Sequence, residues 1–303
     1  MNNEAQSTQR TLPGVLLLFA ALLLALLLPL RIWQQANLVE PGTGFWLGSG
    51  LTVILLYAGL ALLAAVPAGA AFALRKRTAL DLTRKRRLAE GAAAALLAAA
   101  MVWDAVAAFR GALALFMGTG DAFSEGIEAQ SSSPAVYYIR SGAMACVLES
   151  VFGLVGAVFF GTLAAADCLP KKKIYLSRAM SLAPLVWAIC RVLRRFSRTI
   201  SYLRVSDLFL GLAMLVALML FLLAFAQLVG NFNHAGKASV LFAAGIPAAV
   251  LALLCFVPRI VAYGLGNPAA PQDALIEWCD PAAALFIAAF LAGRLSLQKK
   301  EKA

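Results

Sequence analysis

Charge is scarce in this chain of 303 residues, with only 14% Asp, Glu, Lys or Arg against about a quarter in a soluble globular domain. Together with 62% apolar residues and a mean hydropathy of +0.84, the deficit excludes a water-soluble fold and points to a chain folded in lipid. Histidine occurs once, at His234, in the short polar stretch from Gly230 to Lys237. No Cys, His or acid stands at ligand spacing from it, so a histidine-based metal site has no second ligand. The five cysteines, Cys146, Cys168, Cys190, Cys255 and Cys279, are scattered, form no CxxC and lie mostly in apolar stretches. They read as small core residues rather than as a disulfide framework or a zinc site. The chain has no GxxxxGK[ST] loop, no HExxH and no Asp-rich metal motif, which leaves ATP-driven, zinc-dependent and cofactor-dependent mechanisms without support. Long polar segments are missing too. The longest connections, Gly118 to Tyr137 and Ala262 to Cys279, run to about 20 residues, too few for a soluble catalytic domain.

Two short strings imitate catalytic motifs. Gly118, Thr119, Gly120 and Asp121 spell the GxGD of intramembrane aspartyl proteases, but in a loop and without a Tyr-Asp partner in another span. Gly48, Ser49 and Gly50 suggest a serine nucleophile, yet His234 is far away in a different connection. No motif supports an enzyme.

The charge that is present is basic, Lys+Arg 26 against Asp+Glu 15, for a net +11 and a pI near 9.8. Such a balance fits nucleic acid or a membrane surface, and the apolar fraction decides for the membrane. Runs of about 20 apolar residues are what a bilayer crossing needs. Six are clear, at 14–33, 51–74, 92–117, 138–165, 208–229 and 239–261, and two are weaker, at 179–198 and 280–295. The last begins with Asp280 as a helix N-cap and Pro281 at the first helical position. The expected fold is therefore all-α, a single polytopic bundle of about eight spans, or seven if 179–198 lies in the interface. The first span reads as an uncleaved anchor, because Arg31, Ile32 and Trp33 after it do not make a small-residue cleavage site.

Orientation follows from basic residues in short loops. The loop from Arg75 to Arg87 has seven Lys or Arg and that from Lys171 to Arg178 has four. The loop between, Gly118 to Tyr137, has none and carries Asp121, Glu125 and Glu128. The N-terminus is expected in the cytoplasm. The 179–198 segment complicates the count, since Ala179 to Cys190 is apolar but Arg191, Arg194, Arg195, Arg198 and Arg204 follow. Seven-span and eight-span tallies come out level. The acidic loop from Ala262 to Cys279 and the tail with Lys299, Lys300 and Lys302 favour eight, with both termini inside.

Ionisable groups at membrane depth are costly and so are functional candidates. Asp104 in the third span and Glu149 in the fourth fall at similar expected depth, roughly 17 to 20 Å from the outer helix ends. Arg191 runs outward from the same zone. These three are expected to converge on a mid-membrane charged site, with Arg110 and Arg140 nearer the outer surface. Arg110 stands six residues after Asp104, roughly 120° round the helix, on a different face. The site reads either as paired charges that fix helix orientation or as an ion- or proton-coupled substrate site.

Arg191, Arg194, Arg195 and Arg198 fall at i, i+3, i+4 and i+7 on one helical face. As an interfacial helix they would contact anionic lipid headgroups, together with Lys171, Lys172 and Lys173. As a spanning helix, Arg191 would pair inside while Arg195 and Arg198 snorkel outward. A voltage sensor needs strict three-residue spacing, which Ser197 breaks.

Leu182, Pro184, Trp187, Ala188 and Arg191 in LAPLVWAICR, then Ser206, Asp207, Leu208 and Phe209, the run FLLAFAQLV, and Leu254, Cys255, Pro258 and Arg259 form a pattern. It resembles multi-pass membrane proteins of Firmicutes without an assigned function. The resemblance covers the C-terminal part of the chain. It implies a true fifth span, because those relatives are more apolar after the Trp and Arg, and it implies no activity.

The reading is a multi-pass protein of the bacterial cytoplasmic membrane, with no bound cofactor, metal or nucleic acid. One function class is a carrier or permease for a small solute or ion through the Asp104, Glu149 and Arg191 site, helped by Pro184, Pro247 and Pro258 as helix breakers. The other is a non-catalytic scaffold or sensor subunit that binds a membrane partner or a second copy through small-residue faces, and anionic lipid through basic loops.

Overall fold

The computed structural model describes residues 11–40, 46–48, 50–74, 78–80, 87–117, 142–169, 178–198, 205–230, 237–265 and 277–297. The elements are α1 (Thr11–Asn37), α2 (Leu51–Leu74), β1 (Thr78–Leu80), α3 (Leu88–Phe116), α4 (Ala143–Cys168), a 3-10 turn (Met180–Leu182) leading into α5 (Ala183–Arg198), α6 (Val205–Val229), α7 (Lys237–Gly264), α8 (Cys279–Arg294) and β2 (Leu295–Leu297).

Six of these helices, α1 to α4, α6 and α7, are long and apolar enough to cross a membrane, and the protein is a membrane-embedded helical bundle. The sequence suggests eight. The two shortfalls are α5 and α8, with 16 residues each, about 24 Å at 1.5 Å per residue against a hydrocarbon core of about 30 Å. The second half of α5 is taken by the arginine row, and α8 is bounded by Asp280 and Arg294.

Contacts between helix ends sort the bundle into two layers. One end gathers Arg31 from the last turns of α1, Asp207 from the first turn of α6, Glu149 near the start of α4, Arg194 near the end of α5, Arg259 near the end of α7 and Glu277 just before α8. The opposite end gathers Arg87 and Glu90 at the start of α3, Asp167 at the end of α4 and Arg294 at the end of α8. Successive helices thus run in opposite directions. At the Arg294 end β1 pairs antiparallel with β2 in the register Thr78↔Leu297, Ala79↔Ser296 and Leu80↔Leu295. The segments that follow α2 and α8 therefore lie side by side, a pairing that the sequence reading does not anticipate.

Hydrophobic burial gives little drive for helices to associate in lipid, so close packing must supply it. Along α3 and α4, glycine makes the approach possible. A Cβ at Gly153 would stand 3.2 Å from Ala105 Cβ, and one at Gly91 would stand 3.2 Å from the Ala164 carbonyl. Helix α4 begins later than the expected position 138, because Gly142 takes a left-handed conformation (φ 77°) immediately before Ala143. Between the two charged layers Phe159 and Phe160 of α4, Phe221 and Phe225 of α6, and Phe286 and Phe290 of α8 interlock, with ring centroids 5.0 to 6.3 Å apart. The short α8 is consequently an interior helix. Its acidic residues stand at the N-terminal end and Arg294 at the C-terminal end, the arrangement its own dipole favours. On the outside, Leu18, Leu22 and Leu26 of α1 recur at four-residue spacing and stay exposed, a face that suits only lipid.

Candidate functional site

The amphipathicity of α5 is turned inside out. Ile189 and Leu193 face outward, whereas Arg191 is fully buried and Arg194 nearly so. A membrane helix with this pattern needs counter-charges on its neighbours, and α4 and α8 supply them. Arg191 Nη2 donates to Glu277 Oε2 at 2.6 Å and to Asp280 Oδ1 at 2.9 Å. Arg194 Nη2 donates to Glu277 Oε1 at 3.1 Å, and its Nε lies 2.8 Å from Glu149 Oε2. Arg195 Nη2 donates to Glu277 Oε2 at 2.5 Å. Arg259 of α7 stands 3.9 Å from the same oxygen, a charge contact beyond hydrogen-bond reach.

One turn back along α5, Trp187 joins the network on two sides. Its Nε1 donates to Asp104 Oδ2 at 3.0 Å, and the Arg191 guanidinium lies 4.9 Å from its ring centroid. The structure thus brings together Asp104, Glu149, Arg191, Arg194 and Arg195. It adds Trp187, Arg259, Glu277 and Asp280, which were not singled out for the site. Next to them Arg31 pairs with Asp207 and stacks under Trp46, 5.2 Å away. Arg31, at the end of the first apolar run, is 1% exposed.

Glu277 is the hub. Burial would push its carboxyl pKa up, but Arg191, Arg195, Arg194 and Arg259 outweigh that and hold it well below its usual range. The carboxylate therefore stays charged. Several atoms remain unmatched among the described residues. Arg191 Nε and Nη1, Asp280 Oδ2 and both Glu149 oxygens have no aligned hydrogen-bond partner. The contact of Glu149 with Arg194 is therefore one of charge rather than of a directed bond.

Three expectations need correction. Asp104 and Glu149 do not fall at similar distances from their helix ends: α4 starts at Ala143, so Glu149 lies about 9 Å from the helix start, while Asp104 lies about 18 Å from the end of α3. Arg110 is exposed on α3 and takes no part, as expected from its 120° offset from Asp104. Arg194 and Arg195 do not meet lipid headgroups, because their side chains turn inward to Glu149 and Glu277 and are 9% and 13% exposed. Asp280 is no N-cap. Helix α8 already begins at Cys279, which puts Asp280 in the first turn, facing Arg191. The side chain of Arg198, and Arg140, Arg204, Lys171, Lys172, Lys173 and His234, lie outside the described residues.

At the opposite end of the bundle Arg294 Nε donates to Glu90 Oε1 at 2.6 Å and its Nη2 to Asp167 Oδ1 at 2.9 Å, while Arg87 Nη1 donates to the Gly293 carbonyl at 2.7 Å. This smaller cluster ties α3, α4 and α8 below the phenylalanine core. Among the described residues no group of His, Cys, Asp and Glu is placed to hold a metal ion.

Glu277 and Asp280 stand at i and i+3 across the start of α8, which carries Pro281 in its first turn, facing an inward arginine row of matching spacing. That complementarity was the available signal, and reading Glu277 as loop charge and Asp280 as an N-cap hides it. In comparisons with known proteins, no family model, curated protein or solved structure matches the chain.

Proposed function

We propose that the protein is a carrier of the cytoplasmic membrane, not an enzyme, and that it handles a small solute or ion at the junction of α5 and α8. The observation that carries this reading is the meeting of these two helices. Each has 16 residues and a proline in its first turn, Pro184 and Pro281, and they face each other through the buried Arg191, Asp280 and Glu277 contacts. Short or interrupted helices that end inside a bundle beside ionisable groups are how carriers build substrate and coupling-ion sites. The unmatched atoms of Arg191, Asp280 and Glu149 are what an arriving solute or proton would satisfy.

The same reading has eight crossings, an N-terminus in the cytoplasm and the Glu277 end outside. The pairing of β1 with β2 supports it, since an even number of crossings must separate the segments after α2 and α8. With α5 lying in the interface the number would be odd.

A scaffold or sensor subunit is the second reading, and the sealing of the site favours it. Asp104, Glu149, Arg191 and Asp280 are all at most 7% exposed, and Arg31, Arg191, Arg194, Arg195 and Arg259 each face one or more of four carboxylates, Asp207, Glu149, Glu277 and Asp280. Native thiols separate the two. Cys190 precedes Arg191 and Cys279 precedes Asp280, and both are buried. A carrier that opens toward the outside should let a membrane-impermeant maleimide label Cys190 or Cys279 in intact cells, and Asp280→Asn should change the rate. Thiols that label only after denaturation would overturn the carrier reading in favour of the subunit.

A further inference from the structure

At the Arg294 end of the bundle two acids share one guanidinium. Arg294 donates from Nε to Glu90 Oε1 at 2.6 Å and from Nη2 to Asp167 Oδ1 at 2.9 Å. Paired N–H groups of an arginine commonly bind both oxygens of a single carboxylate. Split between two, they draw the acids of α3 and α4 together, and the carboxyl groups of Glu90 and Asp167 lie within hydrogen-bond reach of each other.

Each acid keeps one oxygen unmatched. Glu90 is 2% exposed, and neither its Oε2 nor Asp167 Oδ2 has a hydrogen-bond partner. The second cation is Arg87, whose Nη1 stands 3.9 Å from Glu90 Oε2, beyond hydrogen-bond reach, and donates instead to the Gly293 carbonyl at 2.7 Å. Arg294 itself is held over the Phe290 ring, 5.4 Å from the centroid. Among the described residues, α4 adds only the Cys168 thiol on this side, and β1 and β2 bring no charged side chain. An ionised carboxylate can only accept hydrogen bonds, so two carboxyl groups in contact are joined by a proton.

We propose that Glu90 and Asp167 form a proton-binding site, in which one exchangeable proton bridges the two carboxyl groups beside Arg294. Glu90 keeps the proton from water, and Asp167, the more exposed at 10% against 2%, passes it to and from solvent. The proton also decides what Arg87 holds. While it is bound, Arg87 clamps the end of α8 through the Gly293 carbonyl. When it leaves, the charge on Glu90 draws Arg87 Nη1 across to Oε2 and frees that end of α8. The other end of the same helix carries Asp280, the partner of Arg191, so proton occupancy bears on the helix that builds the larger site. The inference uses no residue of the Glu277 layer and holds whether the protein is a carrier or a subunit.

Infrared spectra of the full-length protein in vesicles, taken as pH is stepped from acid to alkaline, test the proposal. Wild type should show a carboxylic-acid C=O band that shifts in D2O and disappears as pH rises. Glu90→Gln and Asp167→Asn should each lose that band, and Glu149→Gln, which removes the unmatched carboxyl of the opposite layer, should keep it. Arg87→Gln removes the cation that meets the deprotonated acid, so its band should persist to higher pH than in wild type. Melting gives a second readout. The folded pair keeps a proton that the unfolded acids give up above about pH 5, so the stability it contributes is present at low pH and is lost as pH rises. The melting difference between wild type and Glu90→Gln should shrink accordingly. Should either amide variant fail to fold, Arg87→Gln still reads the pair through the pH at which the band is lost. A wild type with no such band at any pH where it is folded would overturn the proposal. So would a band that survives in both Glu90→Gln and Asp167→Asn, or one lost at the same pH with and without Arg87.

Discussion

Glu277 offers the sharpest test of how the network is held. Its replacement by glutamine keeps the shape and one acceptor oxygen but removes a charge shared by Arg191, Arg194, Arg195 and Arg259. The loss is not the sum of four contacts, because Arg191 keeps Asp280 at 2.9 Å and Arg194 keeps Glu149 at 2.8 Å. What remains is an excess of positive charge in a buried layer. Breaking one partner of a buried ion pair costs about 3–5 kcal/mol. At roughly 2–4 °C per kcal/mol for a domain of this size class, Glu277→Gln should melt about 6 to 20 °C below wild type. Thermal unfolding in one fixed detergent, followed by tryptophan fluorescence, measures this. Arg110→Gln, on the exposed face of α3, is the control and should stay within about 0.5 kcal/mol of wild type. Adding Arg194→Gln to Glu277→Gln removes the surplus cation, so the double variant should be more stable than the two single losses added together. A Glu277→Gln protein that melts with the Arg110→Gln control, or strict additivity in the double variant, would refute the hub.

Other consequences are simpler to state. Asp104→Asn leaves an acceptor for Trp187 Nε1 and should cost less than about 1 kcal/mol, whereas Asp104→Leu strands the buried indole N–H and should cost about 1–3 kcal/mol. Gly245→Ala puts a Cβ 2.9 Å from Phe221 Cδ2 and 3.1 Å from Ile287 Cγ2 and should lower stability by about 1–3 kcal/mol, while Gly161→Ala, with nothing within 4 Å, should not lower it. The pH dependence has a definite sign. Glu277 is held well below its ordinary value of 4.5, so its contribution is complete above about pH 4.5 and is lost as pH falls through the lower folded value. The melting difference between wild type and Glu277→Gln should stay level from about pH 8 to pH 5 and shrink in more acidic buffer.

What the sequence made legible was whatever length and hydropathy control. The six long helices follow from runs of apolar residues, and Arg110 could be set apart from Asp104 by helical geometry alone. The convergence of Asp104, Glu149 and Arg191 followed from assuming antiparallel neighbours. What stayed hidden depended on contacts between segments far apart in the chain. Glu277 looks like an ordinary loop acid and Asp280 like a helix N-cap until α8 is packed inside the bundle, and Arg31 looks like a flanking charge until α6 brings Asp207 to it. The start of α4 depended on one backbone conformation, at Gly142, that composition does not encode. The β1 and β2 segments are three residues each, too short for any periodicity to mark.

The inward arginines also alter the argument about topology. In a seven-span arrangement Arg191, Arg194, Arg195 and Arg259 all count toward the cytoplasmic side, and only with them does that arrangement equal the eight-span one. Yet each of the four touches a carboxylate inside the bundle. A neutralised, buried arginine in a helix is not the free loop charge that biases insertion. Setting the paired arginines aside also removes Arg87 and Arg294, which meet Glu90, but these cost the eight-span tally less than the four cost its rival. The balance then tips toward eight, consistent with an even number of crossings between the segments joined in the β1 and β2 ladder. In the proposed eight-crossing arrangement the two short helices cross with the six long ones. At about 24 Å each they do so only if the charged layers at their ends meet the headgroup zone. Local bilayer thickness should then matter at the α5 and α8 junction more than anywhere else in the molecule. Thinner vesicles should stabilise the wild-type protein, and lengthening α8 by one turn after Leu285 should reverse that preference. Melting temperatures in bilayers of graded acyl length decide it, and a ranking unchanged by the insertion would refute the eight-crossing arrangement.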